Sequence, residues 1–378
     1  MMKEGNQMII GDSPSLEVEA KEAFLRLENV GKVFGKQKVL ENFNLSVEEG
    51  EFVTLLGPSG CGKTTALNLI AGLLSPDSGK IYLRGRLVND VITRKRQLGM
   101  VFQTWALFPH MNVYENVAFG LRMQKKSKEE IDKKVKAMLE LVRLPSVYEK
   151  YPSQLSGGMR QRVALARGLA VEPNILLLDE PLSNLDAALR KEMQVELKRI
   201  HEQLRVTTVY VTHSQEEALV MSDRIAVMRN AKILRIGSPS TLYRDPRSKF
   251  ICTFLGEANL FDGKVIDVHG SKASVKFREI VLKAQPMTPF VENCQILLAL
   301  RPEMISVRKE PSPSADNSLR ARIKEMIFTG NSITYYLDVA GKELVALEYQ
   351  KTLKAIPEKG SEVFAEFEAT AFSVLEEE

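Results

Sequence analysis

The chain is poor in cysteine and has no long apolar run. Its three cysteines among 378 residues stand at positions 61, 252 and 294, too far apart for metal-ligand spacing and odd in number. This pattern argues against a disulfide framework and indicates a reducing compartment. The N-terminal apolar run Met8–Ile10 is far shorter than the core of a signal peptide, and no later run approaches membrane-spanning length. We therefore expect a cytosolic protein, or one held at the cytosolic face of a membrane by its partners.

Strong net charge is also lacking. The formal charge is +4, and no dense run of Lys and Arg is interleaved with aromatic residues. The most basic stretch, residues 122–136, is diluted by acidic residues, which favours a solvated helix face. We therefore predict no nucleic-acid partner.

The chain length and the change of sequence pattern along the chain indicate two domains that follow an N-terminal extension. Residues 1–22 are polar and charged and are predicted to be mobile. Strand and helix patterns alternate over residues 23–245, which predicts an α/β domain with a mainly parallel sheet and a helical insertion at about 104–170. From residue 246 to residue 378, short β-rich runs separated by turns predict a small β-barrel domain.

Residues 57–65 read as a phosphate-binding loop between a strand and a helix. The apolar run Phe52–Leu56 precedes the loop and the apolar run Ala66–Ala71 follows it. The spacing of Gly, four residues, Gly, Lys and Thr is the one that cradles the phosphates of ATP or GTP. The predicted nucleotide-binding residues of this loop are Gly57, Pro58, Ser59, Gly60, Cys61, Gly62, Lys63, Thr64 and Thr65.

The residue types in this loop suit phosphate chemistry. Its three glycines permit backbone angles that let successive N–H groups converge on phosphate oxygens. Lys63 adds a positive charge for the β- and γ-phosphates, and Thr64 offers a hydroxyl to Mg²⁺. Lys63 and the helix N-terminus are also expected to favour the thiolate of Cys61. A glycine turn without a ligand is the alternative, but such a turn needs neither Lys63 nor Thr64.

Acidic residues and a histidine follow two further predicted strands. Asp179 and Glu180 come directly after the apolar run Ile175–Leu178, where one carboxylate can hold Mg²⁺ and the next can polarise water. His213 follows the predicted strand Thr207–Val211, and Ser214 and Glu217 have the spacing of a capping box. Each feature alone is also typical of an ordinary strand end.

A further segment begins a helix at Ser156. The sequence Leu155-Ser156-Gly157-Gly158-Met159 precedes an apolar-periodic run to Ala170. Ser156 is expected to cap the helix, and the exposed amides at its start would make a second anion site. An ordinary capped helix is the alternative for this segment taken alone.

In this order the segments resemble the ATP-binding-cassette family over about residues 24–245. The resemblance implies that Glu180, Gln103 and His213 are catalytic, and that Thr64, Gln103 and Asp179 contact Mg²⁺. It also implies that two copies bind two ATP molecules head to tail, each γ-phosphate lying between one copy's loop and the other copy's helix start. Besides the loop residues, the implied nucleotide contacts are Phe34 on adenine, Ser156, Gly157, Gly158 and Asp186.

Three positions depart from the usual pattern of that family. Met159 stands where Gln is usual, Asn184 where Ala is usual, and Phe34 where Tyr is more frequent. Phe34 still supplies a face for stacking. We expect the other two changes to alter the rate of hydrolysis without abolishing it.

Other segments resemble the importer branch of the family. Residues 102–111 and 116–121 are similar to the surface that receives a membrane subunit, which implies two permease subunits contacted near Trp105–Phe108. Residues 300–303 and 328–331 are similar to the oligonucleotide-binding-like barrel, a regulatory or dimerisation domain, of importers. The implied protein works at the cytoplasmic face of the inner membrane and serves a solute-binding protein indirectly. Residues 329–336 are closest to the polyamine and ferric-iron group; sulfate, sugars and other anions are the alternatives.

Two other classes of function compete with this interpretation. A GTPase or kinase would share the phosphate loop but needs neither Ser156-Gly157-Gly158 nor His213. A soluble cassette ATPase acting on nucleic acid usually has a second cassette or a long coiled-coil insertion, and neither pattern is present.

Overall fold

The computed structural model describes residues 23–285, 291–349 and 357–376. The mobile extension predicted for residues 1–22 lies outside these ranges. The chain forms two compact units, each assembled from separate stretches of sequence. The first contains the described residues up to Phe52, with Gly60–Tyr210 and Asn230–Lys232; the second contains Val53–Ser59, Val211–Arg229 and the described residues from Ile233 onward.

Residues 23–245 alternate between strands and helices. The strands are β1 (Leu25–Phe34), β2 (Gln37–Val47), β3 (Phe52–Leu56), β4 (Ser78–Leu83), β5 (Arg86–Leu87), β6 (Leu98–Val101), β7 (Ile175–Asp179), β8 (Thr207–Thr212), β9 (Arg224–Arg229) and β10 (Lys232–Gly237). The helices are α1 (Lys63–Ala71), α2 (Val113–Met123), α3 (Lys128–Leu141), α4 (Gly157–Ala170), α5 (Ala187–Leu204), α6 (Gln215–Met221) and α7 (Pro239–Arg244). Within the described ranges, no helix combines the length and apolarity needed to cross a bilayer.

The predicted parallel sheet is present, with strand order β10-β9-β3-β8-β7-β6. β3 pairs in parallel with β9, and β6 pairs in parallel with β7. Every residue of β3 and of β8 is buried, as expected for strands covered on both faces. A separate antiparallel sheet of order β2-β1-β4-β5 was not predicted; in it the buried Leu27 of β1 lies opposite Leu45 and Ile81.

The helices between residues 104 and 170 have well-defined starts. Asn112 and Glu115 form a capping box at α2, and Ser127 and Glu130 form another at α3. Ser156 caps α4 by accepting a hydrogen bond from the backbone N–H of Met159, as predicted. These side chains satisfy donors that the first helical turn leaves unpaired, so the sequence determines where each helix begins.

A buried arginine holds the far end of α1. The Arg96 guanidinium donates to the carbonyls of Leu69 at 2.7 Å and Ile70 at 2.8 Å in the last turn of α1. It also donates to the carbonyls of Val88 at 2.6 Å and Val91 at 2.7 Å. Helix carbonyls at this end have no partner within the helix, so Arg96 fixes α1, and with it the loop at the other end of α1.

The C-terminal part is built from antiparallel strands after a short parallel strand and a helix. These elements are β11 (Arg247–Ser248), α8 (Lys249–Leu255), β12 (Asn259–His269), β13 (Lys272–Phe277), β14 (Ile280–Ala284), β15 (Gln295–Leu300), β16 (Ser306–Arg308), β17 (Asn317–Phe328), β18 (Ser332–Val339), β19 (Lys342–Tyr349), β20 (Glu362–Phe367) and β21 (Phe372–Glu376). The sheets have the orders β11-β21-β15-β12-β13-β14 and β16-β20-β17-β18-β19. One core contains buried side chains from both sheets, so the predicted barrel domain is an open half-barrel.

Two buried asparagines join these sheets. The Asn259 side chain accepts from the Val345 N–H and donates to the Val345 carbonyl, both at 2.8 Å. Asn317 makes the same pair of bonds with Lys283, also at 2.8 Å. Each amide reproduces the two hydrogen bonds of a strand partner and thereby satisfies backbone groups where the two sheets meet.

A second buried arginine ties α7 and α8 to the half-barrel. Arg301 donates at 3.0 Å to the carbonyls of Cys252 and Glu257 and lies 4.3 Å over the ring of Tyr243. The Tyr243 hydroxyl donates to the Glu303 carboxylate at 2.6 Å. Burial, and then this carboxylate, raise the pKa of Tyr243 to about 12. The contacts join residues on both sides of the predicted domain boundary after residue 245.

Helix α8 also completes a core that precedes the boundary. Ile251 and Leu255 are buried in one cluster with Leu56, Ile225 and Leu242. We therefore expect a fragment of residues 23–257 to be more stable than a fragment of residues 23–245, because each of the two α8 side chains contributes about 1.5–3 kcal/mol on burial. Urea unfolding followed by circular dichroism measures the difference.

Two variants of the longer fragment control this comparison. Ile251→Ala with Leu255→Ala should lower its midpoint to that of the shorter fragment. Thr253→Ala, on the exposed side of the same helix, should change it little. Equal midpoints for the two wild-type fragments would show that α8 does not stabilise the cassette, and the boundary after residue 245 would then stand.

Candidate nucleotide-binding site

The predicted phosphate loop leads from β3 into the first turn of α1. The φ angle is 80° at Gly60 and 105° at Gly62, in the left-handed region that favours glycine. Gly57 does not have a positive φ. Two of the three loop glycines therefore adopt the backbone conformation that was expected of all three. A Cβ at Gly62 would lie 2.4 Å from the Val39 carbonyl oxygen, so Gly62 is also required by space.

Lys63 and Cys61 lie side by side in this loop. Both are buried, and the Lys63 amine is 4.0 Å from the Cys61 sulfur. Burial raises the pKa of the Cys61 thiol and outweighs the opposing attraction of Lys63. The expectation that the loop favours a thiolate is therefore wrong, because desolvation of the anion dominates.

Thr64 contacts the end of β7 directly. Its hydroxyl donates to the Asp179 carboxylate at 3.0 Å. Burial, and then repulsion from Glu180, raise the pKa of the Asp179 carboxyl, while the Thr64 hydrogen bond and Lys63 lower it. The predicted Mg²⁺-binding residues Thr64 and Asp179 are thus adjacent, at the carboxyl end of a parallel strand, where ligands bind.

Gln103 and Glu180 form the second close pair. The Gln103 amide nitrogen lies 3.4 Å from the Glu180 carboxylate. Glu180 has a φ of 43°, an uncommon conformation for a residue with a side chain. The Ser183 hydroxyl donates to the Glu180 carbonyl at 2.9 Å, which stabilises the turn after β7. The turn therefore places the predicted general base beside the predicted water-contacting glutamine.

The three predicted metal-contacting residues carry oxygen atoms of the kind that Mg²⁺ prefers. Thr64 supplies a hydroxyl, Asp179 a carboxylate and Gln103 a side-chain amide oxygen. In the described part of the chain, no group of three or more His, Cys, Asp or Glu is placed so that it could hold a metal ion. The residues present therefore fit a magnesium ion that takes its remaining oxygens from nucleotide phosphates and water, the usual arrangement for this ion.

The glycines after Ser156 serve packing as well as an anion site. A Cβ at Gly158 would lie 2.9 Å from the methyl groups of Leu189, so a larger residue there would require the Leu189 side chain of α5 to move. Ser156 itself is exposed at the start of α4. Asp186 caps α5 by accepting from the Leu189 N–H at 3.0 Å. Ser156 and Asp186 thus each begin a helix in this region.

Phe34 and His213 both have exposed side chains. The Phe34 ring is 48% exposed, with the Lys32 amine 5.6 Å from its centroid. His213 follows β8 in the second unit and is exposed. Only one half of the capping box predicted after it is present. Ser214 accepts from the Glu217 N–H, whereas the Ser214 N–H donates to the Thr212 hydroxyl, which itself donates to Glu217.

The structure places Trp105 in the core, although the resemblance implies a permease contact near Trp105–Phe108. Its side chain is 9% exposed, and its indole N–H donates to the Pro181 carbonyl at 3.2 Å. The Arg160 guanidinium lies 5.2 Å from the ring centroid. The next residues present the surface instead, since Ala106, Pro109 and His110 are exposed. A buried indole whose N–H has a hydrogen-bond acceptor contributes mainly to packing of the core.

Two polar contacts here were not predicted. The Asn184 amide donates to the Gln103 carbonyl at 2.9 Å. Arg167 of α4 donates to the carbonyls of Trp105 at 3.1 Å and Ala106 at 2.8 Å. The only signal in the sequence was the departure of Asn184 from the usual alanine. Nothing in the sequence indicated the Arg167 contacts, because their acceptors are backbone carbonyls, which every residue has.

Comparison with known proteins agrees with this geometry. The family model described as ABC transporter matches residues 40–183, and the TOBE domain model matches residues 298–375. The chain is 40% identical over 344 residues to a spermidine/putrescine import ATP-binding protein of Trichormus variabilis, covering 90% of each chain. The chain belongs to the ATP-binding-cassette transporter family. It is therefore a P-loop cassette ATPase followed by a TOBE domain.

Other relatives carry different names. A Fe(3+) ions import ATP-binding protein of Fusobacterium nucleatum is 38% identical over 354 residues and 94% of each chain. A sulfate/thiosulfate import ATP-binding protein of Acinetobacter baylyi is 43% identical over 323 residues, 84% of this chain and 89% of the relative. A solved dimeric post-hydrolysis state of the ATP-binding cassette MJ0796, bound to ADP and Pi, matches with a TM-score of 0.52 and 35% identity, covering 57% of this chain and 98% of that one.

The environment of Cys61 generates a test of the phosphate loop. Because alkylation requires a thiolate and burial raises the pKa of this thiol, we expect slow labelling by a maleimide at pH 7, about tenfold faster for each pH unit until the thiol titrates. MgATP should slow labelling further by covering the loop. Peptide mapping by mass spectrometry separates Cys61 from Cys294, which is more exposed and serves as the internal control. Labelling of Cys61 that is unaffected by MgATP would mean that nucleotide does not cover the loop.

Proposed function

We propose that this chain is the ATP-hydrolysing subunit of an importer and that two copies act head to tail on two ATP molecules. The observation that carries the proposal is the pairing of Thr64 with Asp179 and of Gln103 with Glu180, at the carboxyl end of β7. Phosphoryl transfer to water needs a cradled phosphate, a metal site and a positioned base, and these pairs supply the last two. The dimeric cassette that this chain resembles supports the pairing of two copies.

Each proposed residue has one task in this scheme. The amides of the loop and Lys63 hold the β- and γ-phosphates, and Phe34 stacks on adenine. Thr64, Asp179 and Gln103 hold Mg²⁺, which offsets charge on the phosphates when bound. Glu180 accepts a proton from the attacking water, and His213 is a further proposed catalytic residue. The partner copy contributes Ser156, Gly157 and Gly158, the amides at the start of its α4, and Asp186 lies at the interface.

The membrane partners are proposed to contact the surface after Trp105. Residues 106–110 are exposed in part and include the apolar side chains Leu107 and Phe108, half-buried beside exposed Pro109 and His110. Such a shallow apolar surface suits a helix from another protein. The subunit would then work at the cytoplasmic face of the inner membrane, beneath two permease subunits that receive solute from a solute-binding protein.

A polyamine or ferric iron is proposed as the solute. Relatives of similar identity are named for spermidine and putrescine, for ferric ions and for sulfate or thiosulfate. The pattern of residues 329–336 in the TOBE domain favours the first two. Sulfate, a sugar or another anion is the alternative that the solute experiment below distinguishes.

The role of Glu180 is tested by removing its charge. Glu180→Gln should reduce ATP turnover by at least about a hundredfold, because a general base contributes on this scale. The same variant should retain ATP and accumulate as a dimer, which size-exclusion chromatography with radiolabelled ATP measures. Lys63→Ala serves as the contrast, since it should weaken nucleotide binding itself. Near-normal hydrolysis by Glu180→Gln would contradict the assignment.

The importer role is tested by co-purifying this chain with its membrane subunits. The complex reconstituted in proteoliposomes should hydrolyse ATP faster when its solute-binding protein carries spermidine, putrescine or ferric ion than when sulfate is added. His110→Glu should weaken this stimulation while the isolated subunit keeps its basal rate, because the change lies on the proposed contact surface. Ser153→Glu is the matched control, an exposed position with the same change of charge. Stimulation by sulfate alone would overturn the solute proposal.

A further inference from the structure

Two side-chain hydrogen bonds join the loop that contains Gln103 to the turn after β7. Asn184 donates to the Gln103 carbonyl at 2.9 Å, and the Trp105 indole donates to the Pro181 carbonyl at 3.2 Å. The Gln103 side chain reaches the same turn at Glu180. Residues 103–105 are therefore connected to residues 180–184 at three points, one of them at the proposed general base.

The segments that these bonds connect contain uncommon backbone conformations. The φ angle is 61° at Trp105, 44° at Ala106 and 43° at Glu180, all in the left-handed region. Such conformations persist only where surrounding contacts hold them, and each costs free energy when those contacts are lost. The bonds of Asn184 and Trp105 are placed to hold these two segments together.

The same loop is also fixed on its other side by α4. Arg167 donates to the carbonyls of Trp105 and Ala106, and Arg160 lies over the indole. A Cβ at Gly157, the first residue of α4, would lie 3.5 Å from the indole ring. Trp105 therefore packs between the start of α4 and the turn after β7, and the segment cannot shift as a flexible loop would.

We propose that Asn184 and Trp105 are positioning residues that hold the Gln103 amide against Glu180 and so set the rate of hydrolysis. Neither residue contacts the phosphate loop through these bonds, so their loss acts on the catalytic step and leaves nucleotide affinity in place. Asn184 is the more informative of the two, because it is exposed and its removal leaves no buried group unpaired. The inference rests on the proposed roles of Gln103 and Glu180.

The test compares Asn184→Ala with Asn44→Ala in the full chain. Asn44 also donates to a backbone carbonyl, that of Asn42 at 2.8 Å, and accepts from the Asn29 N–H at 2.9 Å, but it lies in β2. For Asn184→Ala we expect kcat to fall about fivefold to tenfold, the effect of one lost positioning hydrogen bond. The Kd for a non-hydrolysable ATP analogue and the Tm should stay near wild type. Asn44→Ala loses both of its bonds outside the proposed site, so it should leave kcat and this Kd unchanged whether or not Tm falls.

Fluorescence provides a readout that does not depend on hydrolysis. Trp105 is the only tryptophan of the chain, so its emission reports on this loop alone. Loosening the loop should raise the acrylamide quenching constant of Asn184→Ala about twofold or more above wild type without nucleotide. Trp105→Phe, which keeps a ring beneath Arg160 but lacks the indole donor, should lower kcat in the same way, with Tm measured to detect unfolding.

The outcomes separate this inference from the proposed function. If Glu180→Gln hydrolyses ATP normally, the proposed site is wrong. If Glu180→Gln is inactive and Asn184→Ala matches wild type in both kcat and quenching, the site stands and the positioning role is overturned. A parallel loss of kcat and Tm in Asn184→Ala would also overturn it, because that pattern indicates a role in folding alone.

Discussion

The carboxylates at the end of β7 are the constraint on which the site depends. Asp179 is partly desolvated and carries its charge next to Glu180, so burial and repulsion both raise its pKa. The Thr64 hydroxyl and the Lys63 amine oppose this effect from the first turn of α1. A nucleotide triphosphate would add further negative charge at the same place, and the loop amides, Lys63 and a divalent cation offset that charge. A divalent cation at this place would therefore be stabilised both by the carboxylates and by the phosphates of a bound nucleotide.

Contacts far from the chemistry maintain this arrangement. Arg96 joins two carbonyls in the last turn of α1 to the carbonyls of Val88 and Val91, so the N-terminal turn that carries Thr64 is fixed along the helix axis. Gly158 lets α4 approach α5, and Asp186 begins α5 directly after the turn that contains Asn184. In the half-barrel, Asn259 and Asn317 use side-chain amides in place of strand partners. The side chains of Arg96, Asp186, Asn259 and Asn317 each satisfy backbone groups that regular structure leaves unpaired.

The sequence was sufficient where structure is local. The parallel strands, the start of α4 at Ser156 and the β-rich C-terminal region follow from apolar runs, caps and turn residues a few positions apart. It was insufficient for Arg96, Arg167 and Asn184, because their partners are carbonyl groups distant in the chain and leave no periodic pattern. Trp105 was included in the expected permease contact because apolar character alone does not distinguish a docking surface from a core. The expectation of a thiolate at Cys61 was wrong because burial raises the pKa of the thiol, and burial cannot be read from the neighbouring residues in the sequence.

The burial of Trp105 changes how a signal from a membrane partner would reach the ATP site. An exposed tryptophan would meet the partner itself, whereas here the exposed residues are those immediately after it. The carbonyls of Trp105 and Ala106 are held by Arg167, and the indole is held by Pro181. A displacement of residues 106–110 would therefore not be absorbed at residue 105. It would pass to the turn after β7 on one side and to α4 on the other, so that Glu180, the proposed general base, and the start of α4 respond together.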